Sequence, residues 1–386
     1  MAGFRAPVTT SFLQARAMAL AWPPLAPQAV GLDQALGTTL AADLVSLTDL
    51  PAFRTSAMDG WATAGQGPWR LRPGRALAGA PVEGLLPGEA VEIATGAMVP
   101  DGADAVLRRE EGAVGELLQG PSQPGRDVLP VAGECARGDL LMPAGTVVTP
   151  PVLGLAAATG HDRLEVRPRP TVAVAVLGDE LLESGLPGDG RVRDSLSLQL
   201  PGWVEGLGGQ VVSVTRVPDE LDATVAALRT TADVVVSTGG TAAGPVDHVH
   251  GALRALDAEL LADGVACRPG HPMVLARLAD GRPCVGLPGN PLSAFVSVLT
   301  LLAPVLQALA GRPGAPSRTV VAGEPFKGRA PDSRLVPVSL VTGRAVAVSH
   351  LGSMMLRGLA LSHGVVVVPP DGADEGEPLP LLELPW

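Results

Sequence analysis

The sequence predicts a multidomain protein of mixed α/β and β class, built around a doubly wound α/β domain. A chain of 386 residues is long enough for two to four domains, at about 100–200 residues for each. After Pro170, β-branched runs alternate with helical patterns, which is typical of a mostly parallel sheet with helices on both faces. The 48 glycines and 38 prolines divide much of the remaining chain into short apolar pieces, which indicates strands joined by tight turns.

The part of the chain before Pro170 contains helical and β-rich stretches in turn. Apolar spacing typical of a helix runs over about residues 10–44, interrupted by prolines and a glycine. Residues 45–127 consist of short apolar segments between Gly and Pro, and predict a β-rich module. Residues 128–168 are mixed and include a predicted helix at Pro151–Thr159. The segment Arg167–Pro170 cannot be helical and indicates a linker.

The part after the linker has the regular alternation that defines the central domain. Strands are predicted at Thr171–Leu177, Gln210–Val217, Asp233–Ser237 and Cys284–Leu287. Helices are predicted at Ser195–Leu207 (bent at Pro201), Glu220–Thr230, His248–Leu256 and Pro291–Ala310. From about Ser317 the tail has apolar strands and turn signals, which predict a small β domain.

The composition excludes several classes of function. The net charge of −11 argues against binding of nucleic acid by bulk charge, so no such partner is expected. Three cysteines without a C-x-x-C pair favour a reducing compartment. The first residues lack the apolar segment of a signal peptide, and the longest apolar stretch, Ala294–Ala310, is shorter than a membrane span of about 20 residues. We expect a soluble, cytoplasmic protein without a membrane partner, in which this stretch is a buried helix.

Polar residues or glycines follow the predicted parallel strands. Glu180 follows the first strand, Asp219 the second, and Gly239-Gly240 the third, with Asp247 shortly after. Parallel sheets of this kind bind ligands beyond the carboxyl ends of their strands. The sequence therefore predicts three acids and two glycine-containing turns on one rim, the second turn being the one that follows the fourth strand. Helix N-caps are the alternative interpretation for the second and third acids.

The fourth strand runs into Leu-Pro-Gly-Asn-Pro at Leu287–Pro291. Asn290 is a favoured N-cap and Pro291 suits the first helical position. The free N–H groups of the apolar helix that follows are expected to form an anion pocket at the rim, although a well-capped core helix is the alternative. Gly239-Gly240 permits close approach of backbone amides to a ligand, but a tight turn explains it equally well. Neither a P-loop nor a dinucleotide fingerprint occurs in the sequence.

Five strings that stand in order along the chain carry a family resemblance. They are S-A-M-D-G-W at Ser56–Trp61, I-A-T-G-A-M-V-P-D-G-A-D-A-V at Ile93–Val106, L-G-D-E-L at Leu177–Leu181, T-G-G-T-A-A-G-P-V-D at Thr238–Asp247, and L-P-G-N-P at Leu287–Pro291. Together they resemble the molybdopterin molybdotransferase family, which includes the MoeA proteins and the gephyrin E domain. The resemblance spans roughly residues 10–386.

The resemblance implies a four-part subunit. Residues 1–45 and 128–168 would form a split N-terminal helical and β region, and 46–127 an inserted β module. Residues 169–312 would form a MogA-like, molybdopterin-binding doubly wound domain, and 313–386 a C-terminal β barrel. Family members are homodimers with the active cleft shared between subunits. The resemblance also suggests the molybdopterin adenylyltransferase as a protein partner.

The resemblance also implies a reaction, namely Mg²⁺-dependent insertion of molybdate into adenylylated molybdopterin with release of AMP. The residues that match the family's catalytic polar positions are Asp59, Thr95, Glu180, Asp219 and Asp247, with Glu180 and Asp247 as metal ligands. The residues that match its ligand-binding positions are Gly239, Gly240, Arg268, Pro288, Gly289, Asn290, Pro291 and Ser353. Carboxylate oxygens suit Mg²⁺, which often bridges phosphates. The spacing of the rim acids does not separate a metal ligand from a general base.

The sequence departs from the family pattern at several positions that would contact an anion. Arg268 and His271 stand where the family has K-P-G-K, and Gly264 stands where it has a further lysine. A second arginine expected shortly after Arg334 is missing. Three other replacements remove polar groups: Ala242 for Ser, Pro245 for Glu and Leu196 for Asn.

Two classes of function remain open. The retained acids favour a molybdenum-inserting enzyme, whereas the missing cations favour a non-catalytic relative that binds molybdopterin or a protein partner. A third interpretation is a molybdopterin adenylyltransferase, which the doubly wound domain resembles. That enzyme stands alone as such a domain, however, and lacks the module that contains Met58-Asp59 in this chain. The sequence leaves the choice between molybdate and tungstate open.

Overall fold

A computed structural model describes residues 10–242, 248–314 and 318–386. The chain forms two compact units. Unit 1 comprises Met1–Gln28, Gly37–Ala41 and Val166–Trp386, and unit 2 comprises Ala29–Leu36 and Ala42–Glu165. The fold is multidomain α/β plus β, as predicted, while the four-part division by residue number stays a prediction.

Unit 1 contains a six-stranded sheet that is parallel over four strands. In spatial order its strands are Gln210–Val217, Thr171–Leu177, Val234–Thr238, Pro283–Leu287, Val274–Arg277 and Glu259–Asp263. The first four are the predicted strands, correct to within one residue at each end. The last two pair antiparallel and were not predicted, so the sheet is mixed at one edge.

Helices cover both faces of this sheet, as predicted for a doubly wound fold. They are Leu196–Gly206, with Pro201 inside it, Leu221–Leu228, Val249–Ala255 and the helical run Pro291–Leu309. Side chains of the strand Thr171–Leu177 alternate between two hydrophobic clusters. Val172, Val174 and Val176 pack in one cluster, and Ala175 and Leu177 in the other. Both faces of the strand are therefore buried, which explains its continuous apolar sequence.

The long apolar helix is buried in unit 1, as predicted. It consists of an α-helix at Pro291–Ser297, a π-helical turn at Val298–Leu302 and an α-helix at Ala303–Leu309. The run is long and apolar enough to cross a membrane, but 83% of its most apolar window lies inside the protein. Arg16, on the helix Phe12–Ala19, donates a hydrogen bond to the carbonyl of Leu299 in the π turn.

The tail forms a closed five-stranded β barrel. Its strands pair in a ring in the order Ser333–Val341, Arg344–Ala347, Arg318–Ala322, Pro378–Leu382 and Gly364–Val368, and the last pairs again with the first. The sheet continues from Ser333–Val341 through the parallel strand Val265–Arg268 to Thr10–Ser11. In this register Arg268 pairs directly with Arg334. A short helix at Arg357–Ala360, absent from the prediction, precedes the fourth strand along the chain.

Unit 2 is rich in short strands, as predicted for residues 45–127. Its largest sheet has the order Arg70–Ala76, Glu89–Ile93, Gly60–Thr63 and Ala105–Arg108. Its other elements include strands Leu44–Val45, Thr55–Ser56, Ala113–Val114, Leu118–Gln119, Val128–Leu129 and Leu140–Met142, and helices Leu32–Ala35, Arg109–Glu111 and Pro150–Ala158.

The remaining short strands are Gln28–Gly31, Thr39–Leu40, Arg163–Arg167, Leu181–Leu182, Val192–Arg193, Phe326–Lys327 and Gly372–Ala373. The chain returns from unit 2 to unit 1 along Arg163–Arg167, and Pro168–Pro170 follow as the connection to the six-stranded sheet.

Candidate functional site

The carboxyl ends of three parallel strands in unit 1 border one cavity. This rim cavity has a volume of about 680 Å³. Seven residues predicted to bind ligand or metal line it: Glu180, Gly239, Gly240, Pro288, Gly289, Asn290 and Pro291. The amide of Gly239 donates to the carbonyl of Leu287 at 2.9 Å, which joins the ends of the third and fourth strands. The predicted convergence of strand ends is therefore present in the fold.

Glu180 reaches the rim because of the glycine two residues before it. Gly178 has φ +130°, a conformation that residues with a side chain rarely adopt. A Cβ at Gly178 would lie 2.7 Å from Oε2 of Glu180, so the carboxylate packs against space that a glycine leaves open. The amide of Val192 donates to the carbonyl of Glu180 at 3.0 Å and fixes its backbone.

The glycine turn lies close to its neighbours on both sides. Gly239 and Gly240 have φ +79° and +62°, in the left-handed region. A Cβ at Gly239 would lie 3.1 Å from the carbonyl oxygen of Leu177, and a Cβ at Gly289 would lie 3.7 Å from Cα of Gly239. Both the left-handed turn and close packing therefore require glycine here, and the turn also presents backbone to the cavity.

Asp219 holds two strand ends together and does not cap the helix that follows. Its Oδ2 accepts a hydrogen bond from the amide of Asp179 at 3.3 Å. The helix begins at Leu221 with Glu220 at the N-cap position, so the N-cap interpretation of Asp219 is wrong. Asp219 is not one of the described residues that line the rim cavity. Asp247, the third predicted acid and second predicted metal ligand, lies outside the described residues.

Carboxylates for a metal are sparse at the rim. Within the described ranges, no group of three His, Cys, Asp or Glu side chains is arranged to hold a metal ion. Mg²⁺ that bridges substrate phosphates needs only one or two protein carboxylates, because it keeps waters and takes phosphate oxygens. Glu180 offers one such carboxylate to the cavity, which fits that mode of binding.

A second cavity, of about 450 Å³, adjoins the first and shares Pro272, Pro288 and Asn290 with it. We call it the arginine cavity, because Arg268, Arg329 and Arg334 line it, together with the polar side chains of His271 and Ser353. No acid occurs among its described lining residues. The cavity is therefore electropositive and suits an oxyanion, since arginine presents several donors to one anion.

Three of the polar side chains that line the arginine cavity are positioned by neighbouring groups. Nε of Arg268 donates to Oδ2 of Asp332 at 2.9 Å, and Nη1 of Arg334 donates to the carbonyl of Lys327 at 2.6 Å. Nδ1 of His271 lies 2.8 Å from the carbonyl of Val265. Because a carbonyl oxygen only accepts, that nitrogen carries a proton, and Nε2 is the nitrogen left for a ligand.

Arg329 lines the arginine cavity but is not among the site residues predicted from the sequence. No motif of the family pattern covers this residue, and its place became visible only once the barrel had brought the turn before Ser333–Val341 to the cavity. It adds a cation beside the positions where the chain lacks the lysines of the family pattern.

The predicted anion pocket at the start of the long helix is wrong in one respect. The amides of Leu292 and Ser293 are not free, since both donate to the carbonyl of Ser353, at 3.0 and 3.4 Å. Asn290 occupies the N-cap position and Pro291 starts the helix, as predicted, but the side chain of Asn290 makes no capping bond to a described residue. The carbonyl of Ser353 therefore occupies the position predicted for a bound anion.

Two predicted catalytic residues lie together in unit 2. The amide of Thr95 donates to Oδ1 of Asp59 at 2.8 Å, and the amide of Arg109 donates to the carbonyl of Asp59 at 3.1 Å. Both Asp59 and Thr95 are exposed. Asp59 thus links the turn before the strand Gly60–Thr63 to the turn after Glu89–Ile93.

The cysteine beside the arginine cavity is not a nucleophile. Burial, with a smaller contribution from the nearby carboxylate of Asp332, raises the pKa of the Cys267 thiol to about 12. Burial likewise raises the pKa of the Cys284 thiol to about 12. Both thiols stay protonated at neutral pH, and all three cysteines are buried and free, as predicted.

Comparisons with known proteins agree on one family. Profiles of the MoeA N-terminal region (domain I and II) and of a probable molybdopterin binding domain match residues 10–160 and 173–308. The chain is 34% identical over 372 residues to molybdopterin molybdenumtransferase 2 of Mycobacterium tuberculosis, covering 89% of this chain and 91% of that one. The molybdopterin molybdenumtransferase of Haemophilus influenzae is 30% identical, covering 78% and 77%. A solved molybdopterin biosynthesis MoeA protein from Pyrococcus horikosii superposes with a TM-score of 0.78 at 26% identity, covering 98% and 100%.

Proposed function

The chain belongs to the molybdopterin molybdenumtransferase (MoeA) family of molybdenum cofactor biosynthesis, and we propose that it inserts molybdate into adenylylated molybdopterin with release of AMP. The observation that carries this proposal is the pair of adjoining cavities in unit 1. One has backbone turns and a carboxylate, and the other has three arginines. A phosphorylated pterin and an oxyanion could therefore bind side by side, separated by Pro272, Pro288 and Asn290.

The rim cavity is the proposed site of the adenylylated pterin. Gly239 and Gly240 would present their backbone to the substrate, and the apolar walls would exclude water from it. Glu180, with Asp247 as the second expected ligand, would hold Mg²⁺ against the phosphates. When bound, Mg²⁺ supplies charge neutralisation on the phosphates and on the departing AMP. Asp219 would act as a positioning residue, because its hydrogen bond fixes the turn that carries Glu180.

The arginine cavity is the proposed site of molybdate. Arg268 and Arg334 stand opposite each other in register, so both guanidinium groups could contact one oxyanion. Arg329 and His271 add donors, and the hydroxyl of Ser353 could contact the same anion. The two dithiolene sulfurs of the pterin would replace two oxygens of molybdate, which would leave as two water molecules with the two thiol protons and two protons from solvent. A separate water would hydrolyse the phosphoanhydride to release AMP.

Two further family traits stay part of the proposal. We expect a homodimer in which the catalytic cleft is shared between subunits, so that Asp59 and Thr95 contribute to it. We also expect contact with the molybdopterin adenylyltransferase, which would supply the adenylylated substrate. Sedimentation analysis of the purified protein, alone and with that enzyme, would test both traits.

The deciding experiment follows AMP release from adenylylated molybdopterin in the presence of Mg²⁺ and molybdate. We expect molybdate-dependent release, a loss of turnover in Glu180→Gln, and a higher molybdate requirement in Arg334→Gln. Arg344→Gln is the matched control, because Arg344 is an exposed barrel arginine that pairs with Glu375 at 3.7 Å. Tight substrate binding without AMP release would instead identify a non-catalytic relative.

A further inference from the structure

One arginine that lines the rim cavity has a buried side-chain nitrogen without a hydrogen-bond partner among the described residues. Arg193 lies on the short strand Val192–Arg193 and lines the rim cavity. Its Nη1 is buried and has no hydrogen-bond partner within residues 10–242, 248–314 and 318–386. A buried donor without an acceptor costs free energy, and more so in a charged group. Such a group in a folded protein requires an explanation, and a missing ligand is one.

The neighbouring acids do not supply the acceptor. Oδ1 of Asp194 accepts from the amides of Leu196 and Ser197, both at 3.1 Å, and its Oδ2 lies 3.2 Å from Nη2 of Arg216. Glu180 lines the same cavity, but it does not serve as an acceptor for Nη1 of Arg193, which has no hydrogen-bond partner among the described residues. Arg193 is thus the one arginine or lysine among the described residues that line the rim cavity.

We propose that Arg193 binds the phosphoryl oxygens of the ligand that occupies the rim cavity. The proposal rests on the proposed function and adds to it a residue that selects for a phosphorylated ligand. A guanidinium group matches the geometry of phosphate and donates two bonds to it. Its strand is held in place by backbone bonds, from Val192 N to Glu180 O and from Asp194 N to Leu182 O, both at 3.0 Å. The side chain therefore starts from a fixed backbone.

The test compares two ligands and three variants. Dissociation constants are measured for molybdopterin and for the same pterin after enzymatic removal of its phosphate. Arg193→Gln should weaken binding of the phosphorylated ligand roughly 10- to 100-fold and leave the phosphate-free ligand within about twofold, as for loss of a charge-assisted hydrogen bond. Arg193→Lys should recover part of the loss. Arg191→Gln is the matched control, since Arg191 is exposed, bonds to the carbonyl of Leu181, and makes the same change of charge two residues earlier.

The outcomes separate this inference from the proposed function. Equal weakening of both ligands by Arg193→Gln, or a lower melting temperature of that variant, would show a structural role and overturn the inference. If the wild type binds neither pterin, the proposed function fails. In that case the dissociation constants of inorganic pyrophosphate for the wild type and for Arg193→Gln decide the role of Arg193. Equal dissociation constants would overturn the inference.

Discussion

Replacing Gly178 with alanine should displace the carboxylate of Glu180 and lower the rate of AMP release in a protein that remains folded. The new Cβ would lie 2.7 Å from Oε2 and 2.9 Å from Oε1 of Glu180. Ordinary contact begins at about 3.4 Å, so the carboxylate must move by roughly 0.7 Å or more. The acid is on a flexible side chain and can move, which is why the clash itself costs little stability.

The size of the two effects can be worked out separately. A residue with a side chain at φ +130° costs about 1–3 kcal/mol of stability. A displacement of a reacting group by about 1 Å can lower the rate by about 100-fold. We therefore expect Gly178→Ala to lose 10- to 100-fold in the rate constant of AMP release while it remains folded.

Gly185→Ala is the control, because it carries strain without the clash. Gly185 has φ +82°, and nothing lies within 4 Å of the Cβ that alanine would add. It should lose about 1–2 kcal/mol in urea unfolding and keep its rate of AMP release. The double variant Gly178→Ala with Glu180→Gln tests the cause. If its loss of rate equals the product of the two single losses, Gly178 acts independently of Glu180 and the reasoning is refuted.

Three other outcomes are expected. Burial raises the pKa of Cys267 and of Cys284 from 9.0 to about 12, so between these pH values the folded state keeps protons that the unfolded state loses. The free energy of unfolding should therefore be unaffected below pH 9 and fall between pH 9 and 12, by roughly 1 kcal/mol per pH unit for each thiol. Replacing both cysteines with alanine should remove this fall from the free energies measured by urea unfolding across that pH range. Arg16→Leu should leave the carbonyl of Leu299 without its donor and lower the free energy of unfolding by about 1–3 kcal/mol; an unchanged urea midpoint would contradict this. Asp59→Ala should lower the melting temperature slightly, whereas Asp59→Asn, which keeps an acceptor for the Thr95 amide, should not.

The parallel core of the sheet was predictable from sequence, and its antiparallel edge was not. Strands such as Thr171–Leu177 are buried on both faces and therefore consist of continuous β-branched and apolar residues. The edge strand Glu259–Asp263 has charged ends, and Val274–Arg277 has only four residues. Neither carries an alternating or β-branched pattern long enough to separate a strand from a loop. Their pairing depends on the connection between them, which contains the strand Val265–Arg268 of another sheet.

The same limit applies to the site. Glu180 and the glycine turn were predictable because they follow directly from strand ends, and topology brings strand ends together. The hydrogen bonds of the Leu292 and Ser293 amides were not predictable, because the carbonyl that accepts them belongs to Ser353, about 60 positions away in the chain. Arg193 also follows no motif, and its significance appears only when its buried nitrogen is seen to lack an acceptor among the described residues.

The register of one strand pair gives this acidic protein a local cluster of positive charge at the proposed oxyanion site. The chain has a net charge of −11, yet the parallel pairing of Val265–Arg268 with Ser333–Val341 sets Arg268 directly beside Arg334. Like charges at paired positions repel each other. Asp332 relieves the repulsion in part by pairing with Arg268, but no described residue lining the cavity adds a negative charge. The molybdate dianion of the proposed reaction would offset the remaining repulsion, so this strand pairing would favour anion binding.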